Sequence, residues 1–364
     1  MQYIDEYRDS GRIKALAEAI EREALHPWQI MEICGGQTHT IAKYRLEEML
    51  PPSVRLLHGP GCPVCVTPSS IIDFALEIAR QSNVIFTSFG DMLRVPGSKA
   101  DLLQTKARGA DIRILYSPLD AVNLAAGNPD REVVFFAVGF ETTAPVHLTA
   151  LKEAERRGLK NFSLLCSLFA VPPAIEMLMN QEDNAIDGFL AAGHVCAVTG
   201  NSDYRVLTKK YHCPIVVTGF EPADLLYGIY LCIKQLESGR SELENAYKRA
   251  VPENGNPAAR RLMDECLEAA GREWRGIGAI PESGFILRKK YAGFDASEKF
   301  GFLKNKKNLI IENADNQCIA GKIMKGAAAV SDCPFFGGLC SPEHPVGAPM
   351  VSDEGVCAAF FKYR

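Results

Sequence analysis

The chain has 364 residues, 47% hydrophobic and 23% charged, with a net charge of −4, which fits an ordinary globular protein of two or three domains. The mildly negative balance, with no basic stripe along any helical pattern, argues against nucleic acid as a partner. No apolar run reaches the roughly 18 residues of a membrane span, and the opening MQYIDEYRDSG is no signal or transit peptide. A cytoplasmic protein with no membrane partner is expected.

In chain order, residues 10–25 read as a short amphipathic helix. Residues 28–33 read as a buried strand that runs into Cys34. Gly35-Gly36 turns the chain, and residues 38–50 have helical spacing. The Cys34 thiol is thereby set beside the first amides of a helix, which favours a thiolate and makes the sulfur a nucleophile or a soft-metal ligand. The layout then repeats, with a strand at 54–57, the loop HGPGCPVC and a helix opening at Ser69 or Ser70. Two thiol-bearing loops of this kind point to one shared cleft.

Further strands are expected at 84–87, 112–116, 133–138, 162–168, 188–192 and 215–218. They are short, rich in Val, Ile, Leu and Phe, and lack alternation, as parallel strands covered on both faces do. The expected fold class is α/β, with two doubly wound parallel-sheet units facing a cleft and a smaller, mainly helical domain. Residues 26–128 would form the first unit and 129–235 the second, divided at the turn-prone Asn128-Pro129. Residues 1–25 and 236–364 would form the small domain. A weak internal echo, VFFAVGFETTAP at 134–145 and IVVTGFEPAD at 215–224, sets Glu141 and Glu221 at helix starts, where capping explains them as well as function does. Beyond residue 236, helices are expected at 241–251 and 257–273 and a hairpin at 281–290. Lys299, Lys304, Lys306 and Lys307 read as a solvated loop.

Twelve cysteines are many for a reducing compartment, where clustered thiols signal metal or redox work. Cys166, Cys232 and Cys266 sit in apolar patterns and read as small buried hydrophobes. Cys62 and Cys65 form a Cys-x-x-Cys pair, suited equally to dithiol redox chemistry and to zinc. Pro60 and Pro63 stiffen that loop, which fits redox use. His39 could orient Cys34, share its ligand, or simply cap the helix. His194 and Cys196, in AAGHVCAVTG, are weaker candidates for the cleft, while His58 and Cys213 read as structural. In the tail, Cys318, Cys333, Cys340 and Cys357 are separated by fourteen, six and sixteen residues. Four thiolates suit an iron–sulfur cluster or a structural zinc ion, and the wide spacing in an apolar surround favours a [4Fe–4S] cluster.

CGGQTHT at 34–40, GPGCPVCVTP at 59–68, GFETTAP at 139–145 and the four tail cysteines together resemble the HypD family of hydrogenase maturation proteins, across essentially the whole chain. The resemblance implies a scaffold on which the Fe(CN)2CO unit of [NiFe]-hydrogenase is built. The chain would act as a monomer within a hetero-complex, alongside a HypC-type chaperone and a HypE-type cyanide donor. It further implies that Cys34 holds the Fe(II) carrying CN and CO, that His39 assists it, and that Cys62 and Cys65 are a redox pair. Cys318, Cys333, Cys340 and Cys357 would then hold a [4Fe–4S] cluster in the small domain. Glu141, Thr142 and Thr143 of GFETTAP either touch the iron's ligands or shape the cleft. A rival reading is an iron–sulfur protein disulfide reductase working through Cys62 and Cys65, which leaves Cys34 without a task. Another is a zinc-stapled binding module. No Cys-x-x-x-Cys-x-x-Cys run and no GxxxxGK[ST] pattern occurs, so radical and nucleotide chemistry have no seat.

Overall fold

The computed structural model describes residues 4–302 and 318–363. The elements in order are α1 (Ser10–Glu23), β1 (Trp28–Glu32), α2 (Gly35–Tyr44), β2 (Val54–His58), α3 (Pro63–Val66), α4 (Ser69–Ala79), β3 (Val84–Ser88), α5 (Leu102–Ala107), β4 (Ile112–Ile114), α6 (Pro118–Gly127), β5 (Glu132–Gly139), α7 (Ala144–Arg156), β6 (Phe162–Phe169) and α8 (Val171–Met179). They continue with β7 (Gly188–Ala192), α9 (Gly193–Thr199), α10 (Ser202–Tyr211), β8 (Ile215–Thr218), α11 (Pro222–Glu237), β9 (Leu243–Asn245), α12 (Pro257–Cys266), β10 (Leu267–Trp274) and β11 (Gly278–Leu287). The α/β class is as expected.

Two sheets carry the fold. The first has the order β2-β1-β7-β8-β9 and is parallel throughout. The second has the order β10-β11-β6-β5-β3-β4, parallel except where β11 pairs antiparallel with β6 and β10. Every residue of β3, β6 and β7 is buried, because helices cover both faces of each sheet. One apolar core runs through both sheets, taking in Met31, Leu57, Phe189 and Val217 from the first and Phe86, Val134 and Leu165 from the second.

The strand pairing does not follow the division at Asn128-Pro129. Strands β1 and β2 pair with β7 and β8, while β3 and β4 pair with β5 and β6, so the expected first unit is split between the sheets. Local patterns specify a strand but not its partner, and Ile30 of β1 pairs with Gly188 of β7, 158 residues further along the chain. The N-terminal segment also departs from expectation. Helix α1 packs on α11, with Ile20 buried beside Ile30 and Ile229, rather than joining the tail. Residues 241–251, expected as a helix, instead supply the edge strand β9 beside β8. The helix expected over 257–273 stops at Cys266, and β10 pairs with β11 to extend the second sheet. Of the 236–364 segment, residues 318–363 make the thiol-bearing tail, which ends in the helix Val356–Tyr363 packed on α2. Lys304, Lys306 and Lys307 lie outside the described residues. Among those described, no helix is long and apolar enough to cross a membrane.

Candidate functional site

In the first sheet the chain leaves β1 toward β2 on one side, while β7 lies on the other. Open α/β sheets bind ligands at the carboxyl ends of strands where the order reverses in this way. Cys34 follows β1 at that place. The CPVC loop follows β2, and His194 opens the helix after β7. The two thiol loops expected to share a cleft therefore follow neighbouring strands.

Cys34 occupies the N-cap position of α2 and is buried. Its sulfur lies 3.8 Å from Nε2 and 4.0 Å from Nδ1 of His194. The Cys34 N–H donates to Glu32 Oε2 at 2.8 Å. Glu32 is itself fully buried and accepts from the Thr38 hydroxyl and from His58 Nδ1, the latter at 2.8 Å. His58 Nε2 faces Glu47 Oε1 at 3.4 Å. Burial is the largest influence on His58 and favours the neutral ring, but the carboxylates of Glu32 and Glu47 outweigh it and lift its pKa to about 9. A buried ion pair thus anchors the Cys34 backbone, although a glutamate inside an apolar run and a histidine at a strand end had carried no spacing signal.

The thiolate expected at Cys34 is not favoured. The amides of Gly36 and Gln37 do act in that direction, yet burial first, then the carboxylates of Glu354 and Glu32, push the thiol pKa well up. Cys34 is held as a thiol, and a bound cation would displace its proton. Burial alone pulls His194 down to about 4, so it offers a neutral imidazole. His39 stands elsewhere. Its Nδ1 meets the Asp353 carbonyl at 3.1 Å and its Nε2 meets the Tyr363 hydroxyl at 3.1 Å, so it fastens the C-terminal helix to α2 rather than assisting Cys34.

The CPVC loop touches Cys34 through backbone. The Gly35 N–H donates to the Gly61 carbonyl at 3.1 Å, and a Cβ on Gly61 would collide with the Cys34 backbone, so only glycine admits this approach. Cys62 caps α3, its sulfur accepting the Cys65 N–H at 3.4 Å, and both thiols are free and buried. Burial, then the bond to Cys62 and the nearby Cys62, Cys357 and Glu354, raise the Cys65 pKa. Cys357 of the tail is therefore within electrostatic reach of Cys65.

The other three tail cysteines lie within electrostatic reach of Cys357. Burial raises the Cys357 pKa, and Cys318, Cys340 and Cys333 add to the shift. Cys340 accepts the Val346 N–H at 3.4 Å, and a Cβ on Gly347 would collide with the Cys318 sulfur. Ile323, Val330, Met350 and Val356 line the same small core. Four thiols, an amide aimed at a sulfur and an apolar surround fit an iron–sulfur cluster. Among the described residues, no three His, Cys, Asp or Glu side chains converge on a single-ion site.

GFETTAP follows β5 in the other sheet. Glu141 is buried, and its Oε1 accepts the Val171 N–H at 2.9 Å while Oε2 has no hydrogen-bond partner. Burial raises its pKa to about 7. It lines a separate cleft of about 450 Å³ together with Pro172, Ser202, Asp203 and Arg260. Thr142 and Thr143 are half-buried at the start of α7, and the Thr143 hydroxyl bonds the Phe140 carbonyl. These three residues shape a loop beside that cleft.

The family model described as "HypD: Hydrogenase formation hypA family" matches residues 11–364. The hydrogenase maturation factor HypD of Rhodobacter capsulatus is 45% identical over 371 residues, covering 100% of this chain and 98% of that protein. Its counterpart in Escherichia coli (strain K12) is 43% identical over 372 residues, with 100% and 98% covered. The Azotobacter vinelandii protein is 45% identical over 372 residues, with 100% and 97% covered.

Proposed function

Since this chain belongs to the HypD family of hydrogenase formation proteins, we propose that it is a redox-active scaffold on which the Fe(CN)2CO unit of [NiFe]-hydrogenase is assembled, the iron being its cargo. The observation that carries this reading is the Cys34 thiol set 3.8 Å from a neutral imidazole, His194, at the switch point of a parallel sheet. A low-spin Fe(II) bearing CN and CO is soft, and a thiolate is the apt ligand for it. Cys34 gives up its proton as it takes the iron, and the neutral His194 is placed to accept that proton or to offer a second donor. Glu32 and His58 hold the Cys34 backbone still beneath the site. A HypC-type chaperone would supply a further thiolate to the same iron, and a HypE-type donor would supply cyanide.

Cys62 and Cys65 offer two electrons and two protons on closing to a disulfide, beside Cys34 and within electrostatic reach of Cys357. Cys318, Cys333, Cys340 and Cys357 would hold a [4Fe–4S] cluster, which supplies one-electron redox chemistry when bound. The test is metal analysis of the full chain purified without oxygen together with its HypC-type partner. His194→Gln is expected to lose the iron beyond that of the tail, while acid-labile sulfide stays at the wild-type level. Retention of that iron would remove His194 from the site.

A further inference from the structure

The sulfur of Cys34 is almost equidistant from the two ring nitrogens of His194, so it does not select either one. Neither nitrogen has any other hydrogen-bond partner among the described residues. A histidine that serves a metal site is ordinarily oriented by a hydrogen bond from its second nitrogen. Here an aromatic ring does that work. Phe220, in the loop after β8, lies against the imidazole with ring centroids 4.8 Å apart and planes inclined by 24°. Its Cδ1 would stand 3.3 Å from a Cβ on Gly36, so the ring is wedged between His194 and the first turn after Cys34.

Behind Phe220 the stack continues. Tyr247 meets it edge-on, with centroids 6.2 Å apart and planes at 90°. The Arg249 guanidinium lies 4.4 Å from the Tyr247 ring on one side and 3.7 Å from the Tyr7 ring on the other. Asp224, almost fully buried, fixes Arg249 through two bonds of 2.8 and 2.6 Å. Arg8 adds a forked pair with Glu221, next to Phe220 in sequence. The N-terminal segment thus clasps the loop that carries Phe220.

We propose that Phe220 is the positioning residue for His194, and that the Tyr7–Arg249–Tyr247 stack holds Phe220 in place. The proposal rests on His194 being the partner of Cys34 but not on which metal the pair serves.

The test is the nuclear Overhauser contact between the His194 ring protons and the Cys34 β-protons. It is measured in full-length protein purified without oxygen, in which only His and Cys are protonated. His194→Gln assigns the signal. The contact is expected in the native chain, lost in Phe220→Ala and Phe220→Leu, restored in Phe220→Tyr and weakened in Arg249→Met, with the other histidine resonances unmoved as a check on the fold. Persistence in both Phe220→Ala and Phe220→Leu would overturn the role of Phe220. A full-strength contact in Arg249→Met would overturn the clasp alone. Should His194→Gln keep the iron beyond that of the tail, His194 drops out of the assembly reading, and this measurement of ring placement is unaffected.

Discussion

At the scale of single residues, two buried acids meet opposite fates, Glu32 beneath Cys34 and Glu141 at the separate cleft after β5. Glu32 is paired, since His58, Thr38 and the Cys34 amide all donate to it. His58 carries a folded pKa of about 9 against an ordinary 6.5. A raised pKa stabilises the fold fully below the unfolded value and loses that contribution as pH rises through the folded value. Stability is therefore expected to fall by about 3 kcal/mol between pH 6.5 and pH 9 to 10 through this group. Urea titrations across that range should show the fall, and His58→Gln should flatten it; an equal slope in the variant would contradict the account. Glu141 is unpaired at Oε2, and its folded pKa of about 7 exceeds the ordinary 4.5. By the same sign rule its protonated form suits the fold, and that contribution is lost as pH rises from about 4.5 through about 7. Glu141→Gln keeps an acceptor for the Val171 N–H and removes the charge, so it should stabilise the chain by about 2 kcal/mol at pH 8 and by almost nothing at pH 5. Urea midpoints at the two pH values would check it. Neither acid announced its state in the sequence, because pairing partners such as His58 and Val171 are set by the fold. The thiols were easier to single out, since Cys34, Cys62 and Cys65 stand in glycine-rich loops where a core cysteine has no reason to be.

At the scale of elements, strand, loop and helix around Cys34 are legible because each has its own signal. The apolar run ends at Glu32-Ile33, the glycines turn the chain, and the helical period resumes. Strands β7 and β8 occupy the residues expected of them. The reading fails where helix-forming composition meets a sheet edge. LEAAGREW, rich in Glu, Ala and Arg, becomes β10 because β11 offers it a partner along most of its length. SELENAYKRA likewise yields β9 beside β8. In both, tertiary pairing overrides intrinsic propensity. His39, five residues after Cys34, meets the Asp353 carbonyl and the Tyr363 hydroxyl, a contact with the chain's end that local spacing does not show. His39→Ala should therefore loosen residues 356–363. The loss of its bonds to Asp353 and Tyr363 costs about 1 kcal/mol and raises their amide exchange roughly fivefold, with no change at residues 34–38. Faster exchange confined to residues 34–38 would instead return His39 to the Cys34 site.

At the scale of the whole molecule, the chain crosses between its sheets, leaving the first after β2 and returning at β7. Neither sheet is complete until late residues arrive, β9 for the first and β11 for the second. A fragment of residues 1–128 holds only β1 and β2 of one sheet and β3 and β4 of the other, and should lack the cooperative unfolding of the full chain. A sharp urea transition in that fragment would contradict the pairing. The same crossing explains the site. β1 and β7, far apart in sequence, bring Cys34 and His194 together, while the CPVC loop and the four-thiol tail close in from the other side. Local patterns placed each of these parts, and only the long-range pairing joined them. The central claim is that Cys34 holds the iron as it acquires its CN and CO, and the infrared spectrum of the full chain with its HypC-type partner, purified without oxygen, tests it most directly. The account predicts cyanide and carbon monoxide stretching bands in the native complex. These should vanish in Cys34→Ala while about four irons and about four sulfides per chain remain in the tail. Bands that survive Cys34→Ala at native intensity would contradict it.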